Sequence, residues 1–254
     1  TMLTDYARYL WFRLTHTWYG LVYAVLYVAI SLASGASVAR SLRGFMVPVA
    51  HEQWHTDCLG VYGDIVVFGA IVGSMFVAWL FLSDLRTGFA KNIFSGRRAR
   101  PAYAASMVAV SAAVSLALLV VGIAVVELAF FVSPSWLDRP GVGVCLAWFG
   151  QAFLYCMLLL CVAALAACLV RNLTAGMVVA LVVPYCLVMR AQMRSADAGA
   201  SAVPAWLEPC LPSTNCKLLM DGEVPGLEWT LAALAGIVLV GAAIMLVMGR
   251  KRLA

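Results

Sequence analysis

Long apolar runs separated by short charged segments make up most of this chain. A transmembrane helix needs about 20 mostly apolar residues. Six charge-free runs meet or approach that length: Thr17–Ala39, Ile65–Ser83, Pro101–Val126, Pro140–Val170, Asn172–Met189 and Trp229–Gly249. The pattern predicts a single all-α integral membrane domain, residues 1–254, with six transmembrane helices. Such helices leave no room for a soluble domain of about 50 residues or more.

The composition supports a membrane protein over a soluble or nucleic-acid-binding one. Hydrophobic residues make up 64% of the 254 and charged residues 11%, whereas soluble domains carry roughly a quarter charged residues. The net charge of +5 is therefore interpreted through membrane topology, and no nucleic-acid partner is expected. The chain has no GxxxxGK[ST] phosphate loop, so any nucleotide it depends on must be bound by another chain.

Residues 2–15 precede the first apolar run and have an amphipathic pattern. Leucine and alanine recur at helical spacing, with charged residues and interface-type aromatics between them: Leu3, Asp5, Tyr6, Ala7, Arg8, Tyr9, Leu10, Trp11, Arg13 and Leu14. This pattern predicts a helix that lies flat at the membrane interface and turns into the first span. The alternative is a plain helical extension of that span.

The stretch 84–103, between the second and third runs, is strongly basic. It holds five of the chain's seventeen Lys and Arg residues: Arg86, Lys91, Arg97, Arg98 and Arg100. Basic residues in a short loop beside a span mark the cytoplasmic side. The centre of the stretch, 87–94, mixes apolar and basic side chains, which favours a short amphipathic helix that contacts another protein. The alternative is a solvated basic loop that only fixes the topology.

The distribution of basic residues predicts that both termini are cytoplasmic. In that orientation the inner side carries eleven basic residues against two acids, Asp5 and Asp84, as the positive-inside rule requires. The eleven are Arg8, Arg13, Arg86, Lys91, Arg97, Arg98, Arg100, Arg171, Arg250, Lys251 and Arg252.

The first outer loop contains the letters of a zinc-hydrolase motif. His51, Glu52 and His55 spell HExxH, which places two histidines on one helical face with a glutamate as general base. A catalytic zinc site also needs a third protein ligand and a substrate cleft. Only Asp57 and Asp64 are close enough in sequence to supply that ligand. We expect a solvated outer loop with no metal site, and a metal-dependent hydrolase is kept as the alternative.

Two residues within the predicted spans are candidates for a transport pathway. Glu127 is the one acid in the third span, about Tyr103–Val132, and an ionisable residue in a span is a functional candidate by default. It lies 24 residues, about 36 Å, beyond Tyr103, so we expect it near the outer interface. Pro184 lies within the fifth run and should kink or break that helix, because it removes a backbone hydrogen bond.

Residues 190–228 form the longest segment without a span. Within it, 202–220 is apolar but interrupted by prolines. It is too short to cross the membrane and suits a re-entrant or interfacial pair of short helices on the outer face. Cys210 and Cys216 both lie here and are candidates for an outer disulfide, although their spacing alone does not establish one.

The layout resembles the type-2 ABC exporter permeases, especially the small bacterial permeases of bacitracin resistance and lantibiotic immunity. The local match is Gly88-Phe89-x-Lys91-Asn92-Ile93, followed by Arg100 and Tyr103. It is similar to the GY-x-KN-I…R…Y pattern of those proteins. Met107 departs from it, because many relatives carry Lys shortly after the tyrosine.

The resemblance implies a function, a set of partners and a location. Such a permease is not itself an enzyme: it moves an amphipathic peptide, antibiotic or lipid-like substrate across the bacterial cytoplasmic membrane. ATP and Mg²⁺ bind a separate ATPase dimer, which docks on a coupling helix formed by Gly88, Phe89, Lys91, Asn92 and Ile93. A second permease chain, identical or homologous, completes the pathway. A non-transporting immunity or sensor subunit is a further alternative.

Overall fold

A computed structural model describes most of the chain. The described residues are 8, 9, 12, 17–44, 56–86, 99–132, 137–138, 140–170, 172–194, 204 and 206–250. The predicted interfacial helix, residues 2–15, therefore lies almost entirely outside them. The whole of the predicted coupling segment, residues 88–93, also lies outside.

The described residues are almost entirely helical. The helices are α1 (Trp18–Gly44), α2 (Cys58–Arg86), α3 (Ala99–Val132), α4 (Val142–Val170), α5 (Leu173–Arg194), a 3₁₀ helix (Glu208–Cys210), α6 (Pro212–Met220) and α7 (Leu227–Arg250). Two dipeptides, β1 (Thr56–Asp57) and β2 (Leu137–Asp138), pair in parallel. This short pair joins the segment before α2 to the connection between α3 and α4.

Within the part of the chain that the structure describes, five helices are long and apolar enough to cross a membrane. Their candidate spans are Cys58–Asp84, Pro101–Phe131, Val142–Val170, Leu173–Gln192 and Leu227–Met248. The prediction of a multi-pass, all-α membrane protein is confirmed at this level. The apolar stretch of α1, Trp18–Ala33, is shorter than these five spans, so the sixth span stays a prediction.

Helix α2 lies at the centre of the bundle. In its most apolar stretch 83% of the residues are buried, against 61% in α4, 33% in α3, 28% in α7 and 22% in α5. Large apolar side chains such as Val238 and Leu239 on α7 are exposed, as expected for helices at a lipid boundary. Only α2 therefore depends almost wholly on packing against other helices of this chain.

Helix α5 is longer than the predicted run. It extends to Arg194, five residues past that run, and it continues through Pro184. Of the predicted kink or break at Pro184, the break does not occur and the kink stays a prediction. A proline removes one backbone hydrogen bond, and in a transmembrane bundle packing against neighbouring helices allows the helix to continue. Pro184 is buried and lines a small cavity with Ser74 of α2 and Leu159 of α4.

Helix α6 is closed at both ends by local chemistry. Pro212 occupies its first turn, where a missing N–H costs little. The Asn215 amide donates to the carbonyls of Pro209 and Leu211 at 2.7 and 2.8 Å. Gly222 ends the helix with φ of 80°, a conformation that favours glycine. The predicted pair of short helices is thus present as the 3₁₀ helix and α6, and whether it is re-entrant stays a prediction.

Close backbone contact seats α6 on the beginning of α2. A Cβ added at Gly63 would lie 2.5 Å from Met220 Cα and 2.6 Å from the Leu219 carbonyl oxygen. The same carbonyl accepts a hydrogen bond from Trp148 Nε1 of α4 at 3.4 Å. Glycine is needed at position 63 because the neighbouring atoms belong to backbone and cannot rotate away.

We predict that Gly63→Ala destabilises the protein by about 1–3 kcal/mol, the usual cost of overpacking. The added methyl group forces α6 away from α2, and this outweighs the roughly 1 kcal/mol that alanine gains over glycine in helix propensity. Thermal unfolding of the purified protein in detergent measures the effect. The matched control is Gly150→Ala on α4, where a Cβ would meet nothing within 4 Å. Equal melting temperatures for the two variants would contradict the close contact.

Candidate functional site

The sequence motifs with the most specific predicted chemistry lie outside the described residues. This applies to the coupling residues 88–93 and to His51, Glu52 and His55 of the HExxH letters. Among the residues that the structure does describe, no group of three or more His, Cys, Asp or Glu side chains is arranged to hold a metal ion. The site is therefore built from the helices that flank these segments.

A buried carboxylate, Asp84, lies where α2 ends. Its side chain is fully buried. Tyr103 of α3 donates its hydroxyl to Oδ2 at 3.2 Å, and Tyr9 donates its hydroxyl to Oδ1 at 3.4 Å. Burying a carboxylate is costly unless hydrogen bonds replace its lost water, and here each oxygen has a tyrosine donor. Asp84 thus joins α2, α3 and the segment before α1.

Apolar packing fixes the position of the Tyr103 ring. It meets Phe81 of α2 edge to face, with ring centroids 6.3 Å apart and an angle of 80°. Met107, one turn further along α3, is also fully buried, and its sulfur lies 3.9 Å from the Cys168 sulfur of α4. A lysine at position 107 would place a charge in this apolar core, which is costly unless the charge is paired.

A second tyrosine–carboxylate pair lies near the other end of the same two helices. Tyr62 of α2 donates its hydroxyl to Glu127 Oε1 of α3. The Tyr62 ring also packs against Trp148 of α4, with centroids 6.1 Å apart. Glu127 is therefore held by a neighbouring helix at the end of the bundle where α6 is seated. Its predicted role in a pathway stays a prediction.

The two pairs hold α2 and α3 together at both ends. Tyr62 and Asp84 are 22 residues apart on α2, which corresponds to about 33 Å at 1.5 Å per residue. Sequence reasoning found Glu127 but missed Asp84 and Tyr103 as partners, although they are the first and last residues of the basic stretch 84–103. The sequence signal for this pair was an acid at one end and a tyrosine at the other end of a short loop between spans.

A polar cluster between α4 and α7 was also missed. Gln151 Nε2 donates to Thr230 Oγ1 at 2.8 Å, whereas Gln151 Oε1 and the buried Trp229 Nε1 have no hydrogen-bond partner among the described residues. Trp229 packs against Tyr155, with centroids 6.2 Å apart. Gln151 is the one amide side chain in α4. That exception within an apolar run was the sequence signal for this cluster.

An apolar pocket of about 180 Å³ lies among α1, α2 and α3. Its lining includes Tyr23 and Tyr27 of α1, Gly73 and Phe76 of α2, and Leu118 of α3. The Tyr27 hydroxyl donates to the Leu118 carbonyl at 2.7 Å, which satisfies the main polar group at the pocket. The contact also ties α1 to α3.

The candidate disulfide between Cys210 and Cys216 is not formed in the structure, where both thiols are free. Cys216 is buried on α6, whereas Cys210 is half-buried, with its sulfur 4.0 Å from the Glu228 carbonyl oxygen. The turn into α6 directs the two side chains into different surroundings. Burial raises the pKa of the Cys216 thiol, which makes it less reactive.

Comparison of the chain with protein-family models and with curated protein sequences finds no match.

We predict that Cys210 reacts with N-ethylmaleimide at least about tenfold faster than Cys216 at pH 7.5. The Cys216 thiol is buried, and its raised pKa reduces the reactive thiolate in this pH range. Single Cys210→Ser and Cys216→Ser variants, followed by mass spectrometry, assign the label to each site. Equal rates at the two positions, or a disulfide in the untreated protein, would contradict this arrangement of α6.

Proposed function

We propose that this chain is the transmembrane permease subunit of an ATP-driven exporter in a bacterial cytoplasmic membrane. It works with a separate ATPase dimer and a second permease chain. The cargo is an amphipathic peptide, an antibiotic or a lipid-like molecule. The chain itself carries out no hydrolysis, and ATP with Mg²⁺ binds to the ATPase subunits.

The observation that most supports this proposal is the environment of Tyr103. Tyr103 is the last residue of the exporter-like pattern that begins at Gly88, and its hydroxyl bonds the buried Asp84 of α2. The predicted coupling segment is thus flanked by two residues that bond each other. In a permease, the bond between Asp84 and Tyr103 would hold the two ends of the coupling segment together. Force from an ATPase on that segment would then reach α2 and α3.

A metal-dependent hydrolase is the alternative from another class. It rests on His51, Glu52 and His55 alone, and no contact among the described residues favours it. An immunity or sensor subunit without transport is the other alternative. ATP hydrolysis that depends on this chain distinguishes the permease, because an enzyme acts without an ATPase partner and a non-transporting subunit has no need to couple to one.

We predict that Phe89→Asp with Ile93→Asp releases the ATPase while the permease stays in the membrane. The two positions are four residues apart and share one face if the segment is helical. Burial of each side chain in a partner contributes roughly 1.5–3 kcal/mol, so losing both weakens binding about a hundredfold or more. Co-purification of the tagged chain with an ATPase, followed by ATP hydrolysis, measures the effect.

The matched control replaces two exposed apolar residues near α6, Trp206→Asp with Val224→Asp. This control chain should keep its ATPase, because those positions belong to the predicted outer segment. Wild-type yield and activity of the ATPase with the Phe89 and Ile93 variant would count against the coupling role. Failure of the wild-type chain to bind any ATPase would count against the permease itself.

A further inference from the structure

The hydroxyl of Ser74 on α2 behaves differently from those of the other serines on α2 and α3. Each of the others donates to a carbonyl of its own helix three or four residues earlier, at 2.6 to 2.9 Å: Ser83, Ser106, Ser111 and Ser115. Ser74 is fully buried, and its Oγ has no hydrogen-bond partner among the described residues. Buried hydroxyls are almost always paired with protein or with ordered water, so Ser74 requires a partner.

Ser74 lines the small cavity between α2, α4 and α5 in which Pro184 also lies. The cavity has a volume of about 10 Å³, close to the roughly 10–15 Å³ that one buried water molecule needs. Ser74 is the one lining residue with a polar side chain. The Ser74 hydroxyl and a space for about one water molecule are therefore found at the same place.

Pro184 creates a second unsatisfied group at this cavity. In a regular helix the N–H of residue 184 would donate to the Ala180 carbonyl, but proline has no N–H. Ala180 is 1% exposed and lines the same cavity. Helix α5 has no side-chain donor of its own here, since residues 176–183 are all apolar. The Ala180 carbonyl therefore also requires a hydrogen-bond donor from outside its helix.

The depth of the cavity keeps bulk water away from both groups. Ser74 lies 16 residues after the start of α2 and 12 before its end, and Pro184 lies 11 residues after the start of α5 and 10 before its end. At 1.5 Å per residue, at least about 15 Å of helix extends to either side. In a bilayer core the two groups must be satisfied inside the bundle.

We propose that this cavity is a binding site for one structural water molecule. The water accepts a hydrogen bond from the Ser74 hydroxyl and donates one to the Ala180 carbonyl, so it supplies both missing partners at once. It joins α5, which has the least buried of the five candidate spans, to the central helix α2. The site does not depend on the proposed function, because every group in it belongs to the described bundle.

The first experiment detects the water directly in the full-length protein. Brief X-ray exposure converts bound water into hydroxyl radicals, which oxidise neighbouring side chains, and buffer made with ¹⁸O-labelled water marks the added oxygen for mass spectrometry. Leu159 and Pro184 line the cavity and are buried. We expect both to be oxidised severalfold more than Leu119, a buried leucine of α3 that does not line the cavity. Oxidation no greater than that of Leu119 would overturn the proposal.

The second experiment uses the sign of a stability change in the full-length protein. Ser74→Ala removes one partner of the water and should lower the melting temperature by about 2–4 °C, the usual effect of one hydrogen bond in a protein of this size. In the Pro184→Ala background the new N–H satisfies the Ala180 carbonyl. Ser74→Ala should then leave the melting temperature unchanged or raise it, because it removes a buried hydroxyl whose water has lost its other partner.

The matched control is Ser115→Ala on α3, which is equally buried but donates to the Ser111 carbonyl of its own helix. Its effect should be the same in both backgrounds, as for sites that share no partner. An unchanged or raised melting temperature for Ser74→Ala in the wild-type background would overturn the proposal, since an unpaired hydroxyl gives that result. Dependence on Pro184 without oxidation at Leu159 would also overturn it, because it would indicate a direct bond between Ser74 and Ala180.

Discussion

The close packing of α2 against its neighbours is the constraint on which the rest of the structure depends. In an apolar surrounding no water can satisfy an exposed backbone or polar group, so a central helix must gain its stability from contact. Glycines at positions 63 and 73 bring other parts of the chain close to its axis. The same constraint leaves α3, α5 and α7 at the periphery, with large apolar side chains exposed.

Because α2 is buried by this packing, its polar side chains must find hydrogen-bond partners on neighbouring helices. Asp84 is fully buried and is satisfied by tyrosine hydroxyls, and Tyr62 reaches a carboxylate on α3. Removing one partner of a buried hydrogen bond costs more than the bond itself contributes, because the other partner remains desolvated. The ends of the α2–α3 hairpin are therefore its most sensitive points. One of them adjoins the segment that resembles a coupling helix.

The sequence predicted the helices better than their contacts. Apolar runs located all five candidate spans, because length and hydrophobicity are local properties. The end of α5 was missed, since packing rather than local propensity decides where that helix stops. Glu127 was recognised by its charge, but its bond to Tyr62 joins residues 65 positions apart. Asp84 was counted only as an inner acid, because nothing in a linear pattern shows that Tyr103 and Tyr9 converge on it.

The proposed function requires that the Asp84 end of the bundle faces the cytoplasm, where an ATPase can reach it, and that the α6 end faces outward. The most direct test is labelling of intact cells with a membrane-impermeant maleimide, in a chain whose eight native cysteines are replaced. A cysteine introduced at Ser201 should be labelled from outside. One introduced at Ser95 should react only after the membrane is permeabilised. Labelling at Ser95 but not at Ser201 in intact cells would contradict this orientation and the function built on it.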